Sequence, residues 1–123
     1  MVDYDSGRSP YRGLLMAPSY AIPRLLARHG LGFEDVDSPG DPRSLRGPGA
    51  GECRCDANFG TFPWDRVNPD DGSVAIGHPF GATGARDLSQ AVKELWSRPV
   101  GSRAVISVCA DGGQGAVALL EPV

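Results

Sequence analysis

His78 and Cys109 are the two side chains of this sequence best placed to do chemistry, and each sits in a glycine-rich frame. His78 lies in Gly77-His78-Pro79-Phe80-Gly81-Ala82-Thr83-Gly84-Ala85-Arg86, and Cys109 in Cys109-Ala110-Asp111-Gly112-Gly113-Gln114-Gly115. A thiolate is a strong nucleophile and proton carrier, and an imidazole is the usual base beside it. Acyl transfer on thioesters needs that pair side by side. Glycine on either side removes the Cβ that would block a ligand's approach. Backbone N–H groups at the helix start after His78 can receive an anion or a developing oxyanion. A second reading stays open, in which the thiol is a small core hydrophobe and His78 a turn residue. The Gly-x-x-Gly pieces match neither a P-loop nor a dinucleotide fingerprint.

Such residues need elements to carry them. Ile22, Leu25 and Leu26 recur at helical spacing over residues 20–29, with Ser19 as N-cap, Pro23 in the first turn and Gly30 as the stop. Residues 32–37 are expected to lead into a short strand, and residues 1–13 to form a polar, loosely held lead-in. Phe59, Phe62 and Trp64 form an aromatic cluster expected to pack on the core, and residues 73–76 a short strand or turn leading to His78. Ala85, Leu88, Ala91, Val92 and Leu95 predict an amphipathic helix over 84–96, with Arg86 and Lys93 on its wet face. Residues 104–108 and 116–120 read as strands joined at Gly112-Gly113. The order predicts an α/β fold.

The chain's 123 residues hold one domain at most, with 41% hydrophobic residues. Its net charge of −3 shows no footprint for nucleic acid or for an anionic membrane. No apolar run reaches the length of a membrane span, and the first ten residues are polar, unlike a signal peptide. Three cysteines, an odd number without a secretory leader, point to a reducing cytoplasm.

The run from Asn68 through His78 to Arg86 resembles the Gly-His-Pro signature of thiolases, and residues 109–121 resemble their closing cysteine-containing strand-turn-strand. Residues 14–31 are similar to the helix that precedes both motifs. The pairing of these two motifs resembles the thiolase of fatty-acid β-oxidation. The resemblance implies a C-terminal portion of a thiolase-like layered α/β fold and an acetyl-CoA C-acyltransferase. Such an enzyme cleaves 3-ketoacyl-CoA with coenzyme A, or condenses in reverse. It further implies that His78 activates a nucleophilic cysteine and helps hold the thioester oxygen. Cys109 would move a proton on or off the acetyl carbon, and the Asp111 backbone N–H would serve an oxyanion site. Asp111 and Asp71 stand where the family often has glycine, and Asp87 where it prefers an apolar residue. No cofactor is implied beyond coenzyme A as substrate, and no metal. The family assembles as homo-oligomers, and a β-oxidation complex or a separate N-terminal half are further partners it suggests.

The family's acylated cysteine, its loop domain for coenzyme A and its water-holding His/Asn-Glu-Ala-Phe helix have no counterpart in the sequence. Residues 38–55, rich in Pro, Gly and Arg, stand where that helix belongs. With permitted synonymous codons, a shifted frame over residues 40–51 can spell a helix bearing the motif. We therefore expect an out-of-frame segment that opens near Asp37 and closes near Cys55; the gene's nucleotide sequence decides it. The chain then divides into 1–37 (lead-in and first helix), 38–55 (irregular) and 56–123 (a core with both motifs). Cys53 and Cys55 lack the further ligands of a metal site. A core short of one amphipathic helix predicts a marginally stable chain. The expectation is a thiolase C-terminal fragment, inactive alone. A non-catalytic acyl-CoA or lipid-binding module and a gene remnant without function remain as alternatives.

Overall fold

A computed structural model describes residues 1, 3–8, 17–36, 45–46, 77–110 and 112–123. The aromatic cluster, residues 73–76, both Cys53 and Cys55, and Asp111 lie outside the described residues. Among those described, four strands form one sheet: β1 (Asp3–Arg8), β2 (Leu45–Arg46), β3 (Ala104–Ala110) and β4 (Gln114–Leu120), ordered β1-β4-β3-β2. Strands β3 and β4 form an antiparallel hairpin, β1 pairs antiparallel with β4, and β2 runs parallel to β3. Helices α1 (Ala17–Arg28) and α2 (Thr83–Leu95) complete the architecture.

Alternation along β3 explains why two helices are needed. Val105 joins Val117 and Leu119 on one face, against Ala21, Ile22, Leu25 and Leu26 of α1. Ala104 and Ile106 join Leu120 on the other, against Ala91 and Leu95 of α2. Successive side chains of a strand point to opposite faces, so a strand with apolar side chains on both faces must be covered twice. The result is an α-β-α sandwich, in agreement with the α/β expectation.

Helix α1 starts three residues earlier than its apolar spacing suggests, so Pro23 falls in the helix interior and not in the first turn. Proline there leaves one carbonyl without its helical donor. Burial of Ile22, Leu25 and Leu26 at 2%, 0% and 2% exposure offsets that loss. The stop is as expected. Gly30 takes φ 65°, and Leu31 N–H donates to the Leu26 carbonyl at 3.0 Å while Gly30 N–H donates to Ala27 at 3.1 Å. This is a Schellman motif, sealed by Leu31 packing on the core that contains Leu26.

Three sequence expectations are corrected. Residues 3–8 are not a loose lead-in but the edge strand β1, fastened to α1 by charge. Arg28 Nη2 lies 2.8 Å from Asp3 Oδ2, Arg28 Nη1 3.1 Å from Asp5 Oδ2, and Arg24 Nη2 3.0 Å from Asp5 Oδ1. Hydrogen bonding to Asp3 raises the Arg28 guanidinium above its ordinary pKa. The strand expected over 32–37 is instead a 3-10 turn at Phe33–Asp35, closed by Gly32 N–H donating to Asp35 Oδ2 at 2.8 Å. Within residues 38–55, Leu45–Arg46 forms β2 at the far edge of the sheet; the rest of that segment lies outside the described residues.

Candidate active site

The turn that carries His78 is built by glycine conformations and fastened at two points. Gly77 at φ 93° and Gly81 at φ 75° occupy the left-handed region that side chains disfavour. Between them the Pro79 carbonyl accepts the N–H groups of Ala82 at 2.9 Å and Thr83 at 3.1 Å, which starts α2. The first fastening is Arg86, whose Nη1 donates to the Gly77 carbonyl at 2.7 Å. The second is Thr83, whose Oγ1 lies 2.6 Å from His78 Nδ1. His78 itself is exposed, with the Phe80 ring centroid 5.1 Å from its own.

Arg86 is positioned in turn by Asp87, through Nε at 3.2 Å and Nη2 at 2.9 Å from Oδ1. Asp87 is 7% exposed on the inner side of α2, in register with buried Thr83, Ala91 and Leu95. An ion pair shared with an arginine accounts for a carboxylate at a position that otherwise favours an apolar residue. Arg86 is therefore half-buried and engaged, not a wet-face residue. Thr83, Arg86 and Asp87 were not singled out as site residues from the sequence. Their signal was spacing: Thr83 and Arg86 close the glycine-framed run, and Asp87 adjoins it.

Cys109 lies near the end of β3, half-buried and outside any disulfide. Its register partner across the hairpin is Gly115. By alternation with Val105 and Ser107 it belongs to the α1 face of the sheet. There the start of α1 presses on Gly115: a Cβ added at Gly115 would stand 2.8 Å from the Ala17 carbonyl carbon. Gly112 and Gly113, at φ 77° and 72°, lead into β4. Asp111, the third expected site residue, lies outside the described residues.

The His78 turn and the Cys109 strand end lie at one end of the sheet. Thr83, which touches His78, precedes Gly84, and an added Cβ at Gly84 would lie 3.7 Å from Val108 Cγ1, next to Cys109. The first turn of α2 thus sits at the strand end that carries the thiol. The starts of both helices and the end of β3 meet there, the end of an α/β sheet where ligands commonly bind. The α2 start and the β3 end share this sheet end, with the His78 turn on the α2 side and the Cys109 side chain on the α1 face.

The family model "Thiolase, C-terminal domain" matches residues 1–122. A probable 3-ketoacyl-CoA thiolase of Caenorhabditis elegans is 35% identical over 131 residues, covering 93% of this chain and 28% of its own length. The peroxisomal 3-ketoacyl-CoA thiolase of Saccharomyces cerevisiae is described as a five-layered α-β-α-β-α structure built from two core domains of identical topology. One crystal structure of it shares 29% identity and a TM-score of 0.79, covering 99% of this chain and 34% of the yeast chain. Another, of the dimeric yeast enzyme, shares 30% identity and a TM-score of 0.77, covering 96% and 28%. The chain spans about a third or less of each of these proteins.

Proposed function

Because this chain belongs to the thiolase family, which it matches through the C-terminal domain, we propose that it supplies the base and the proton-carrying thiol of a 3-ketoacyl-CoA acyltransferase. His78 takes the proton from a nucleophilic cysteine and helps hold the thioester oxygen. Cys109 returns a proton to the acetyl carbon when the carbon–carbon bond breaks, and removes it in the condensing direction. The Asp111 N–H contributes to the oxyanion site. The observation that carries this reading is the placement of the His78 turn and the Cys109 strand end at one end of the sheet.

The acylated cysteine is not among the residues of this sequence that match the family. We therefore propose that turnover requires a polypeptide bearing it, and that this chain alone has none. Coenzyme A and acyl-CoA are the small-molecule partners, with coenzyme A a substrate and not a resident cofactor. The thiol at Cys109 supports a reducing compartment; the cytoplasm is proposed, while the yeast relatives are named peroxisomal.

Thiolysis of acetoacetyl-CoA by the purified chain, alone and mixed with an N-terminal thiolase half, tests the proposal. The expected result is turnover in the mixture only, lost with His78→Ala and with Cys109→Ala. Turnover by the chain alone would overturn the division of labour. Turnover in the mixture that survives both substitutions would overturn the assignment of the two residues.

A further inference from the structure

We infer that Thr83 is a positioning residue that holds neutral His78 as the Nδ1–H tautomer and leaves Nε2 as its basic nitrogen. Use of that nitrogen in acyl transfer rests on the function proposed above; the tautomer does not.

Two contacts of one hydroxyl decide the direction of the proton. Thr83 Oγ1 lies 2.6 Å from His78 Nδ1 and 3.2 Å from the Pro79 carbonyl oxygen. A hydroxyl carries one proton and two lone pairs, while a carbonyl can only accept. If the hydroxyl donates to Pro79, its lone pair is free to accept from Nδ1–H, and both contacts are hydrogen bonds. If it donates to Nδ1 instead, the contact with Pro79 sets two oxygen lone pairs against each other, and one bond is lost. The Pro79 carbonyl also accepts two backbone N–H groups, from Ala82 and Thr83. That sharing weakens the third bond but leaves the count in favour of the first arrangement. Thr83 is 4% exposed, so water cannot readily replace a missing partner. The relay Nδ1–H to Oγ1, then Oγ1–H to the Pro79 carbonyl, runs in one sense and each bond polarises the next.

The consequence is geometric as well as electronic. A donor held at Nδ1 fixes the ring's rotation and turns Nε2 away from the α2 first turn. Nε2, with no hydrogen-bond partner among the described residues, is then the nitrogen able to accept a proton. A β-branched threonine has few side-chain rotamers in a helix, so the acceptor itself is held still. The same bond persists when the ring is doubly protonated, because both nitrogens then donate. His78 can gain and lose its second proton without releasing Thr83.

The chain has two histidines, His29 and His78, so long-range proton–nitrogen correlation spectra of the labelled protein resolve both rings. His78→Gln assigns them. At a pH where His78 is neutral, we expect Nδ1 at the pyrrole-type nitrogen position and Nε2 at the pyridine-type position. One net hydrogen bond shifts the ratio toward that form roughly five- to tenfold relative to Thr83→Val. Thr83→Ser keeps the pattern, whereas Thr83→Val loses the bias and lets the Nε2–H form predominate. A wild-type spectrum with Nε2 at the pyrrole-type position overturns the inference even if Thr83→Val fails to fold. A folded Thr83→Val protein that keeps the Nδ1–H form overturns it as well. Absence of acyl transfer leaves these spectra unchanged and bears only on the proposed function.

Discussion

Cys109 and Gly115 face each other across the β3–β4 ladder, and the glycine leaves room on that face for the first residue of α1. The thiol's strand end is therefore braced by a helix that the sequence places some ninety residues earlier. Gly115 needs to be glycine for lack of space, not for an unusual backbone angle.

Gly115→Ala is expected to destabilise the chain by about 1–3 kcal/mol, the usual cost of forcing a carbon into a filled space. The added Cβ would meet the carbonyl carbon of Ala17 at 2.8 Å and Pro18 N at 3.0 Å, so backbone must move. Gly84→Ala is the control. Its Cβ would find Val108 at 3.7 Å, an ordinary contact, within a helix that alanine favours; it is expected to stabilise by up to about 1 kcal/mol. Urea denaturation measures both. Equal effects of the two substitutions would refute the close approach of α1 to β4.

Apolar residues of the two helices should separate sharply by energetic weight. Leu25 is 0% exposed, and Leu25→Ala is expected to cost about 2–5 kcal/mol. Val92 at 42% and Trp96 at 83% exposure stand outside the core, so alanine at either should change stability by less than about 0.5 kcal/mol. A loss for Trp96→Ala that approaches the loss for Leu25→Ala would mean that this face of α2 is covered in solution.

Strand β1 should be the most salt-sensitive part of the sheet, because Asp3 and Asp5 pair with Arg24 and Arg28 at 2.8–3.1 Å near solvent. Exposed pairs are screened by salt, and edge strands open first. Hydrogen exchange of the β1 amides is expected to accelerate several-fold in high salt and in Arg28→Gln, with β3 amides unchanged. Unchanged exchange in Arg28→Gln would show that backbone pairing to β4 holds the strand unaided.

Much of this fold was legible because its signals are local. Gly30 is the stop of α1, and apolar runs mark β3 and β4. What stayed hidden depends on partners distant in sequence. The alternation of Asp3 and Asp5 has the period of a strand but reads as a polar lead-in until Arg24 and Arg28 are placed opposite. Ala85 and Val92 share a helical row with core residues in projection, yet the sheet reaches only as far around α2 as Asp87, Ala91 and Leu95. At the site, the sequence pointed to His78 and Cys109 through their glycine frames. It concealed Thr83, Arg86 and Asp87, whose roles appear only when the turn folds back on the helix.

Arg86 offers the means to separate the stability of the His78 turn from its rigidity. Its guanidinium holds the Gly77 carbonyl at 2.7 Å and the Asp87 carboxylate at 2.9 Å, and the two side chains are 27% and 9% exposed. Arg86→Ala removes the bonds to Gly77 and Asp87 and leaves the inner carboxylate without this cation, an expected loss of about 1–3 kcal/mol. Adding Asp87→Leu should restore most of that stability, since an apolar residue avoids the buried charge altogether. It cannot restore the donor to Gly77. In the double variant, amide relaxation at Gly77 and His78 should still report larger nanosecond motion than in the wild type, while core amides do not. If the double variant recovers both stability and the order of His78, the clamp on Gly77 has no part in holding the histidine, and Thr83 alone fixes the ring.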